Sequence, residues 1–507
     1  MVRRLIALSL AAPLLLTAPG ARELGAQSVD GPGIDTLALR AHTLFLAHDL
    51  LEGRATGSRG ERLAALYIRS QLARLGLRGA APDGGYEQPV PLREAWIDTA
   101  RTRLTVERDG ETSVFTTDRD FLVNTVGEGG LRDFRGEAIF LGTAGLAAQA
   151  LAPDERLDGR VVVLLDGLGE AALDLVPDWI RRGVAGVVLL VPDDERYDLI
   201  ARSRGASRLY VAAAVDDPIW QPALPVLIAG PRLTAALLVD APLSPDALDG
   251  TRPFAALPLG RTIDATIRAT VRDVEAANLA ALVPGRDPAR RNEVVVFTAH
   301  YDHLGIGAPD VDGDSIYNGF SDNAAGTAML LAIAESLVRE PPARSVLLLF
   351  LTGEERGLLG SSYYVSAPLV PLERTVAVIN LDAGAPPAPP RSWRVAGGDA
   401  STLGEVARRV AAARGWQVTP SPARPNSDHW PFLRRGVPAI FLIPGQAWDG
   451  VDGAEREALQ RRWDRYHQPG DEWTPDFPFG GLARYAELAL AIGREAADAP
   501  EPPRARR

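Results

Sequence analysis

Histidine and acidic residues recur directly after apolar segments in the second half of the chain. These residues are His300, Asp302, His303, Asp322, Glu354, Glu355, Asp382, His467 and Asp471. Imidazole and carboxylate groups are ligands that Zn²⁺ accepts, and Mn²⁺ and Co²⁺ accept them as well. The chain of 507 residues has no Cys and no Lys. This composition excludes cysteine nucleophiles, Cys-ligated metal sites and Schiff-base lysines.

The charges of this residue set fit two divalent cations. Three carboxylate ligands and one bound hydroxide carry four negative charges, and two neutral imidazoles complete the ligand shell. A further carboxylate is then free to act as general base toward a water whose pKa the metal lowers to about 7. The residue types therefore predict a two-metal hydrolase.

The elements that position these residues are four apolar segments with the length of buried strands. They are residues 294–298, 346–352, 376–381 and 437–443. Continuous apolar strands separated by helical segments predict a mostly parallel sheet that is covered on both faces. One such helix is predicted at 324–337, with Asp322 or Asn323 as its cap. Because ligand sites of these sheets lie beyond the carboxyl ends of the strands, we expect the polar residues to converge there.

The N-terminus has the layout of a secretory signal peptide, which we expect at 1–26. Arg3 and Arg4 precede an apolar run over 5–16, and small residues follow. The run is too short for a stable membrane anchor, and no other stretch approaches the roughly 18 apolar residues that cross a bilayer. We therefore expect export to the periplasm or the extracellular space. The net charge of −11 argues against a nucleic-acid partner.

Six sequence strings resemble the motifs of the co-catalytic zinc exopeptidases, in the same order. They are residues 299–305 (AHYDHLG), 322–328 (DNAAGTA), 353–361 (GEERGLLGS), 380–382 (NLD), 427–432 (SDHWPF) and 466–471 (YHQPGD). This family includes bacterial leucyl aminopeptidases, glutamate carboxypeptidase II and glutaminyl cyclases. The string at 49–57 (DLLEGRATG) and the β-rich segment that follows resemble members that carry an inserted protease-associated domain.

The resemblance implies a role for each candidate residue. His300 and Asp382 would bind one Zn²⁺, His467 and Glu355 would bind a second, and Asp322 would bridge the two ions. Glu354 would be the general base. The resemblance also implies supporting roles: an oxyanion donor at Tyr466, an orienting carboxylate for His300 at Asp302, one for His467 at Asp471, and substrate-pocket residues at His303 and His429.

The resemblance implies an α/β fold with a mixed, mostly parallel central sheet, helices on both faces and a small β-rich insertion. The predicted boundaries are 35–125 for the first part of the peptidase domain, 126–260 for the insertion, 261–497 for the main part with the metal site, and 498–507 for a disordered tail. Two departures from the family pattern are Ser321, where many relatives have Asp, and the Pro/Ala-rich segment 383–390. The latter would reshape the rim of the substrate pocket.

The implied activity is that of a secreted zinc-dependent aminopeptidase, which hydrolyses N-terminal residues from peptides through a metal-bridging water activated by Glu354. Two alternatives stay open at this point. One is a carboxypeptidase or dipeptidase with the same di-zinc site. The other is an inactive, receptor-like protein that binds peptides, although relatives of that kind lose metal ligands and this chain keeps all five.

Overall fold

The computed structural model describes residues 33–124, 130–147, 149–165, 175–203, 207–212, 224–243, 248 and 254–506. The predicted signal peptide at 1–26 lies outside these residues. No helix within the described ranges is both long enough and apolar enough to cross a membrane.

Strands dominate the middle of the chain and alternate with helices toward its C-terminus. They are β1 (Arg78–Gly79), β2 (Glu87–Ile97), β3 (Arg103–Arg108), β4 (Glu111–Thr116), β5 (Phe121–Val123), β6 (Phe134–Thr143), β7 (Val161–Leu165), β8 (Gly186–Leu190), β9 (Ser207–Val211), β10 (Val226–Ala229), β11 (Leu257–Thr266), β12 (Ala269–Val283), β13 (Val294–His300), β14 (Gly305–Ile306), β15 (Ile316–Tyr317), β16 (Ser345–Leu351), β17 (Thr375–Asn380), β18 (Ser392–Ala396), β19 (Gln417–Ser421) and β20 (Ala439–Pro444).

Helices connect and cover these strands. They are α1 (Thr36–Leu46), α2 (Arg59–Arg74), α3 (Ala144–Ala147), α4 (Val176–Arg181), α5 (Asp194–Ser203), α6 (Pro231–Leu238), α7 (Ala325–Arg339), α8 (Leu359–Ser366), α9 (Leu403–Ala412), α10 (His429–Arg434), α11 (Gly453–Trp463) and α12 (Gly480–Asp498). Short 3₁₀ turns lie at Asp49–Arg54 and Leu372–Arg374, and a π turn lies at Phe320–Ala324.

The main sheet has the strand order β19-β18-β20-β17-β13-β16-β12-β2-β9, and β1 pairs with β12. Its centre is parallel, because β13 pairs with β16 and β17, and β17 pairs with β20. These four strands are almost entirely buried, which explains their continuous apolar sequences. The flanking strands β12, β2, β9 and β18 pair antiparallel to their neighbours nearer the centre. The predicted mixed α/β sheet is confirmed.

Helices cover both faces of the main sheet. On one face, α1, α2, α7, α9 and α12 share an apolar core with the strands, which includes Phe297, Leu330 and Leu488. On the opposite face, α8 and α10 contribute Tyr364 and Phe432 to a second core. The sheet is therefore shielded from water except at its ends, where polar side chains can gather.

A second sheet with the order β4-β3-β11-β6-β7-β8-β10-β5 lies within 103–266 of the described chain. It extends beyond the predicted insertion of 126–260 at both ends, because β3 pairs with β11 and β5 pairs with β10. Its strands β6, β7, β8 and β10 are parallel, like the centre of the main sheet. Strand β9 comes from the same part of the chain but pairs with β2 of the main sheet.

The C-terminal tail, predicted to be disordered over 498–507, packs against the rest of the protein as far as it is described. Ser401 forms a β-bridge with Ala505. The guanidinium of Arg344 is 1% exposed and donates to the carbonyl of Ala499 at 2.5 Å. A buried arginine needs carbonyl partners, and the tail supplies one of them. The Pro/Arg-rich composition did not reveal this contact.

Candidate metal centre

The predicted ligands lie at the carboxyl ends of the central strands. His300 is the last residue of β13, Glu354 and Glu355 lie in the turn after β16, and Asp382 follows β17. Because β13 runs parallel to both β16 and β17, these three ends meet at one edge of the main sheet.

Asp322 reaches the same edge from the π turn that precedes α7. Gly319 makes the approach to this turn possible. Its φ is +56°, and a Cβ added to it would lie 2.2 Å from the Asp322 carbonyl oxygen and 2.5 Å from the His303 ring. Glycine tolerates both the left-handed backbone and the close contact. The turn thus brings the Asp322 carboxylate between the strand ends.

The first group of donor atoms surrounds His300, which is completely buried. Its Nε2 atom lies 2.8 Å from Asp382 Oδ1 and 3.1 Å from Asp322 Oδ1. A single N–H group can donate to only one of these oxygens at full strength. A cation at the centre of the three atoms would satisfy all of them.

The second group is built around the other oxygen of Asp322. His467 Nε2 lies 3.0 Å from Asp322 Oδ2 and 3.2 Å from Glu355 Oε2, yet it is aligned for a hydrogen bond to neither. On the other carboxylate oxygen of Glu355, His303 Nδ1 approaches Oε1 to 2.6 Å. Asp322 therefore belongs to both groups, which is the geometry of a bridging carboxylate.

The donor spacing fits divalent metals. Four tetrahedral ligands at about 2.0–2.1 Å from Zn²⁺ stand roughly 3.3 Å from one another. The contacts of His300 and His467 with the three carboxylates span 2.8–3.2 Å. The Nε2 atom of His467 is buried without a hydrogen-bond partner, and this is the nitrogen that faces the shared centre. The residues present fit a pair of zinc ions.

The protonation preferences of the cluster arise from burial and crowding. Burial raises the pKa of Glu354 well above its usual range, and Asp382 adds to the rise while His300 opposes it. Burial alone would lower the pKa of His300, but Asp382 and Glu354 raise it well above its usual range. Burial and the neighbouring carboxylates thus give Glu354 a higher proton affinity than an exposed glutamate has.

Asp302 lies behind His300, where the resemblance implied an orienting carboxylate, and its closest contact with the ring uses its main chain. His300 Nδ1 lies 3.2 Å from the Asp302 carbonyl oxygen and 3.7 Å from its carboxylate. The carboxylate instead accepts from Thr56 Oγ1 at 2.8 Å and from the Glu354 N–H at 3.2 Å. Asp302 therefore ties the ligand strand to the turn that carries the candidate base.

No hydrogen bond or ion pair joins the side chains of Asp471 and His467, the pairing that the resemblance implied. The Asp471 carboxylate accepts the backbone N–H groups of Ser321, at 2.9 and 3.0 Å, and of Asp322, at 3.1 Å. These bonds fix the π turn. His467 and Asp471 are close in sequence, but the chain turns between them. The Asp471 carboxylate therefore faces the backbone of Ser321 and Asp322 and not the ring of His467.

A chain of hydrogen bonds that the sequence analysis missed fixes Asp382. Thr298 Oγ1 donates to Asn380 Oδ1 at 2.7 Å, Asn380 Nδ2 donates to Ser427 Oγ at 2.6 Å, and Ser427 donates to Asp382 Oδ2. Asn380 and Ser427 both stand in the quoted motifs. Their polar side chains beside a candidate ligand were the signal available for this role.

Arg54 is a second residue that the sequence analysis missed. It is 1% exposed and donates to the carbonyls of Leu46, Tyr301 at 3.0 Å, Asn318 at 2.7 Å and Gly319 at 3.1 Å. Burial lowers its pKa to about 10, although the site's carboxylates oppose the fall. At neutral pH it is therefore a buried positive charge that links the N-terminal segment to the turns beneath the cluster.

A cavity of about 490 Å³ opens next to the cluster and is lined by Asp322, Glu354 and Asp382. Tyr466 lies on its wall and is 65% exposed. Its ring stacks on that of His467 with 3.8 Å between centroids. The Pro/Ala-rich segment that departs from the family pattern supplies residues 383–387 of the same wall.

The two predicted pocket histidines do not line this cavity in the described part of the chain. His429 is fully buried, and its ring lies 5.4 Å from that of Phe441, which does line the cavity. His429 lies behind Phe441 of the cavity wall. It is the first residue of the short helix α10, which packs against the main sheet. His303 is 1% exposed and lines a second cavity of about 460 Å³.

Comparison with protein families gives a match over much of the second half of the chain. Residues 278–492 match the model described as Peptidase family M28. This range contains all the donor atoms of the cluster, together with Glu354 and Tyr466.

Two curated relatives and one solved structure extend this comparison. Aminopeptidase YwaD of Bacillus subtilis (strain 168) is 27% identical over 193 residues, which cover 34% of this chain and 39% of that protein. Leupeptin-inactivating enzyme 1 of Streptomyces exfoliatus is 29% identical over 242 residues, which cover 45% and 50%. The matches thus span about two fifths to one half of these relatives. An aminopeptidase from Aneurinibacillus sp. strain AM-1 has the same fold, with a TM-score of 0.53 at 18% identity over 92% of this chain and 95% of that one.

Proposed function

We propose that the protein is an exported zinc-dependent aminopeptidase, on the premise that residues 278–492 match the model of peptidase family M28. One observation carries the proposal. Two imidazole nitrogens, from His300 and His467, each face two carboxylates, and Asp322 is common to both groups.

The proposed ligand assignment follows this geometry. His300 and Asp382 would hold one zinc ion, His467 and Glu355 would hold the other, and Asp322 would be shared by both. His303 orients Glu355 through the contact between its Nδ1 atom and Oε1. Ser427 holds Asp382 through a hydrogen bond to its Oδ2 atom, and Asp302 holds His300 through its carbonyl oxygen.

In the proposed reaction, Glu354 transfers the proton and Tyr466 stabilises the charge that develops during peptide hydrolysis. When bound, zinc would supply Lewis-acid chemistry, polarising the scissile carbonyl and lowering the pKa of the attacking water. Glu354 accepts the proton of the attacking water at its carboxylate and passes it to the leaving amine. Tyr466 donates its phenol O–H to the carbonyl oxygen as negative charge develops there. The cavity beside the cluster receives the first residue of the peptide.

We also propose that the second sheet is a protease-associated insertion that frames the approach to the site. Strand β9, from this part of the chain, pairs with β2 in the main sheet. Ser207 and Leu209 of β9 line the second cavity together with His303. The insertion then limits the length of peptides that reach the cluster. A variant lacking the second sheet that folds and cleaves long and short peptides in the wild-type ratio would contradict this role.

Metal analysis combined with a substrate panel tests the proposed function. We expect about two zinc ions per chain, loss of activity on chelation, and recovery when Zn²⁺ is added back. Amino-acyl p-nitroanilides with a free amine should be cleaved, and their N-acetylated forms should not. Cleavage of N-blocked dipeptides instead would favour the carboxypeptidase alternative. A purified protein that binds no divalent metal would favour the inactive peptide-binding protein. N-terminal sequencing of the exported protein tests the signal peptide at 1–26.

A further inference from the structure

One wall of the 490 Å³ cavity leads from the candidate ligands across two neighbouring strands. Asn380, two residues before Asp382, pairs with Phe441 of β20, and Ile443 of β20 pairs with Arg394 of β18. Residues that are directly opposite share a face of the sheet, and so do alternate residues of one strand. Phe441, Ile443 and Arg394 therefore stand on one face, and all three line the cavity.

The opposite orientation of the neighbouring residue supports this placement. Trp393 is 2% exposed and its ring lies 5.3 Å from that of Tyr485 in α12, on the helix-covered face. Arg394 must then project the other way, and it is exposed. The wall thus begins at the cluster, continues with two apolar side chains and ends in a cation.

The guanidinium of Arg394 makes no hydrogen bond or ion pair with any residue that the structure describes. Nearby arginines differ in this respect, because Arg391 and Arg484 both pair with Asp449. Arg465 also lines the cavity, and its guanidinium likewise has no hydrogen-bond or ion-pair partner among the described residues, but it lies in the loop after α11 and not on the sheet wall. The acidic side chains on the cavity wall are the exposed Asp464 and three members of the cluster, Asp322, Glu354 and Asp382. An unpaired, rigid fork of N–H donors is well suited to a carboxylate ligand.

We propose that Arg394 is a specificity-determining residue that binds a carboxylate of the substrate. This inference rests on the proposed aminopeptidase function. The carboxylate has two sources that share one chemistry. It is either the side chain of an acidic first residue, whose methylene groups would lie along Phe441 and Ile443, or the terminal carboxylate of a dipeptide.

Kinetics on paired substrates separate these sources. Glu- and Gln-p-nitroanilide differ in the side-chain charge and have no terminal carboxylate, whereas Leu-Gly and Leu-Gly-amide differ only in the terminal charge. We expect kcat/KM to favour the charged member of one pair by at least about tenfold, the effect of one charge-assisted hydrogen bond. In Arg394→Met this ratio should fall to about one. Arg394→Lys should restore part of it, and Arg408→Met, which alters an exposed arginine away from the cavity, should keep the wild-type ratio.

Both ratios unchanged in Arg394→Met, with thermal unfolding like that of the wild type, would overturn the inference. In Arg394→Lys, a charged-to-uncharged ratio of kcat/KM between those of the wild type and Arg394→Met supports the inference, because a merely structural role would not depend on substrate charge. Zinc-loaded wild-type protein that hydrolyses none of the four substrates contradicts the proposed function and this inference with it. Hydrolysis without either ratio overturns this inference alone.

Discussion

The two sheets of this protein have similar parallel centres but different chemistry at their strand ends. In both, four parallel strands form the centre and are mostly buried, although the first half of β6 in the second sheet is partly exposed and carries Arg135 and Glu137. Among the residues that the structure describes, groups of His and carboxylate atoms able to hold a metal ion occur only at the main sheet. A parallel sheet therefore provides an edge where side chains can come together. The residue types in the turns after its strands determine whether a metal site can form there.

A buried carboxylate from each sheet shows the difference. Asp120, beside β5 of the second sheet, accepts from Arg232 at 2.7 Å and from the Thr116 N–H at 2.9 Å. Although burial opposes them, these contacts lower its pKa. Asp382 of the main sheet contacts His300 and Ser427 instead, and burial raises its pKa. An arginine neutralises Asp120 permanently, whereas His300 beside Asp382 can lose its Nε2 proton to solvent and would then be able to bind a metal ion together with Asp382.

The largest expected effect concerns the candidate base of the main sheet. Glu354→Gln keeps the size of the side chain but cannot accept a proton, so we expect kcat to fall about 10²–10⁴-fold. Zinc content and the thermal unfolding temperature should stay close to those of the wild type. Steady-state kinetics on a free-amine p-nitroanilide, with metal analysis of the same sample, check both expectations.

Asp120→Asn is the matched control, because it makes the same change from carboxylate to amide at the buried carboxylate of the second sheet. Its kcat should equal that of the wild type. An activity of Glu354→Gln within tenfold of the wild type would contradict its role as general base. It would also contradict the view that the carboxylates of the main sheet differ in chemistry from Asp120.

A buried arginine in each sheet region gives the second prediction. Arg54 lies beneath the cluster, and Arg261 lies in β11 of the second sheet, where it donates to the carbonyls of Ala236 at 3.0 Å, Leu259 and Val239. Removal of either guanidinium leaves buried carbonyls without donors. We expect Arg54→Met and Arg261→Met each to lower the free energy of unfolding by about 3–5 kcal/mol, measured by urea denaturation.

The two variants should differ in metal binding. Arg54 stands near Asp302, Asp322, Asp471 and Glu355, whose charges it partly compensates. Arg54→Met should therefore change zinc affinity and kcat at a temperature where the protein is folded, and Arg261→Met should change neither. Equal zinc affinities in the two variants would show that Arg54 acts on folding alone.

The sequence was sufficient to predict the parts of the site that depend on strand ends and motifs. His300, Glu354, Glu355 and Asp382 follow apolar runs, so the rule for parallel sheets predicted their convergence. The contacts of Arg54 and Asp471 could not be predicted, because their partners are backbone groups of turns that become neighbours only after folding. The same limit explains His429. The resemblance implied a place in the substrate pocket for it, but how deeply its ring is buried depends on the packing of α10 behind Phe441.

The third prediction tests whether Asp120 is only structural. Asp120→Ala removes the partner of the Thr116 N–H and of Arg232, so the free energy of unfolding should fall by about 2 kcal/mol. The arginine is half exposed and regains water, which keeps the loss moderate. The values of kcat and KM for a dipeptide should not change. A change in the zinc content of this variant would mean that Asp120 in the second sheet affects metal binding at the main sheet, and would contradict a purely structural role.

The smallest effect concerns a histidine that has no carboxylate partner. His42 of α1 is 4% exposed, its Nδ1 atom lies 2.9 Å from the Tyr67 hydroxyl, and its Nε2 atom has no partner. Burial lowers its pKa to about 4 from 6.5, although Glu335 opposes the fall. Carboxylates raise the pKa of His300, so the two histidines respond to acid in opposite ways.

The unfolded chain binds a proton at His42 below pH 6.5 and the folded protein does not, so acid favours unfolding. The contribution of neutral His42 is complete above pH 6.5 and is lost as the pH falls toward 4. Between pH 7.5 and 5.5 the wild type should lose about 1 kcal/mol more unfolding free energy than His42→Leu, since the variant has no group to titrate there. Urea denaturation of both proteins at each pH measures the difference. Parallel pH curves would show that His42 binds a proton as readily in the folded protein as in the unfolded chain, and that burial alone does not separate structural histidines from those of the metal centre.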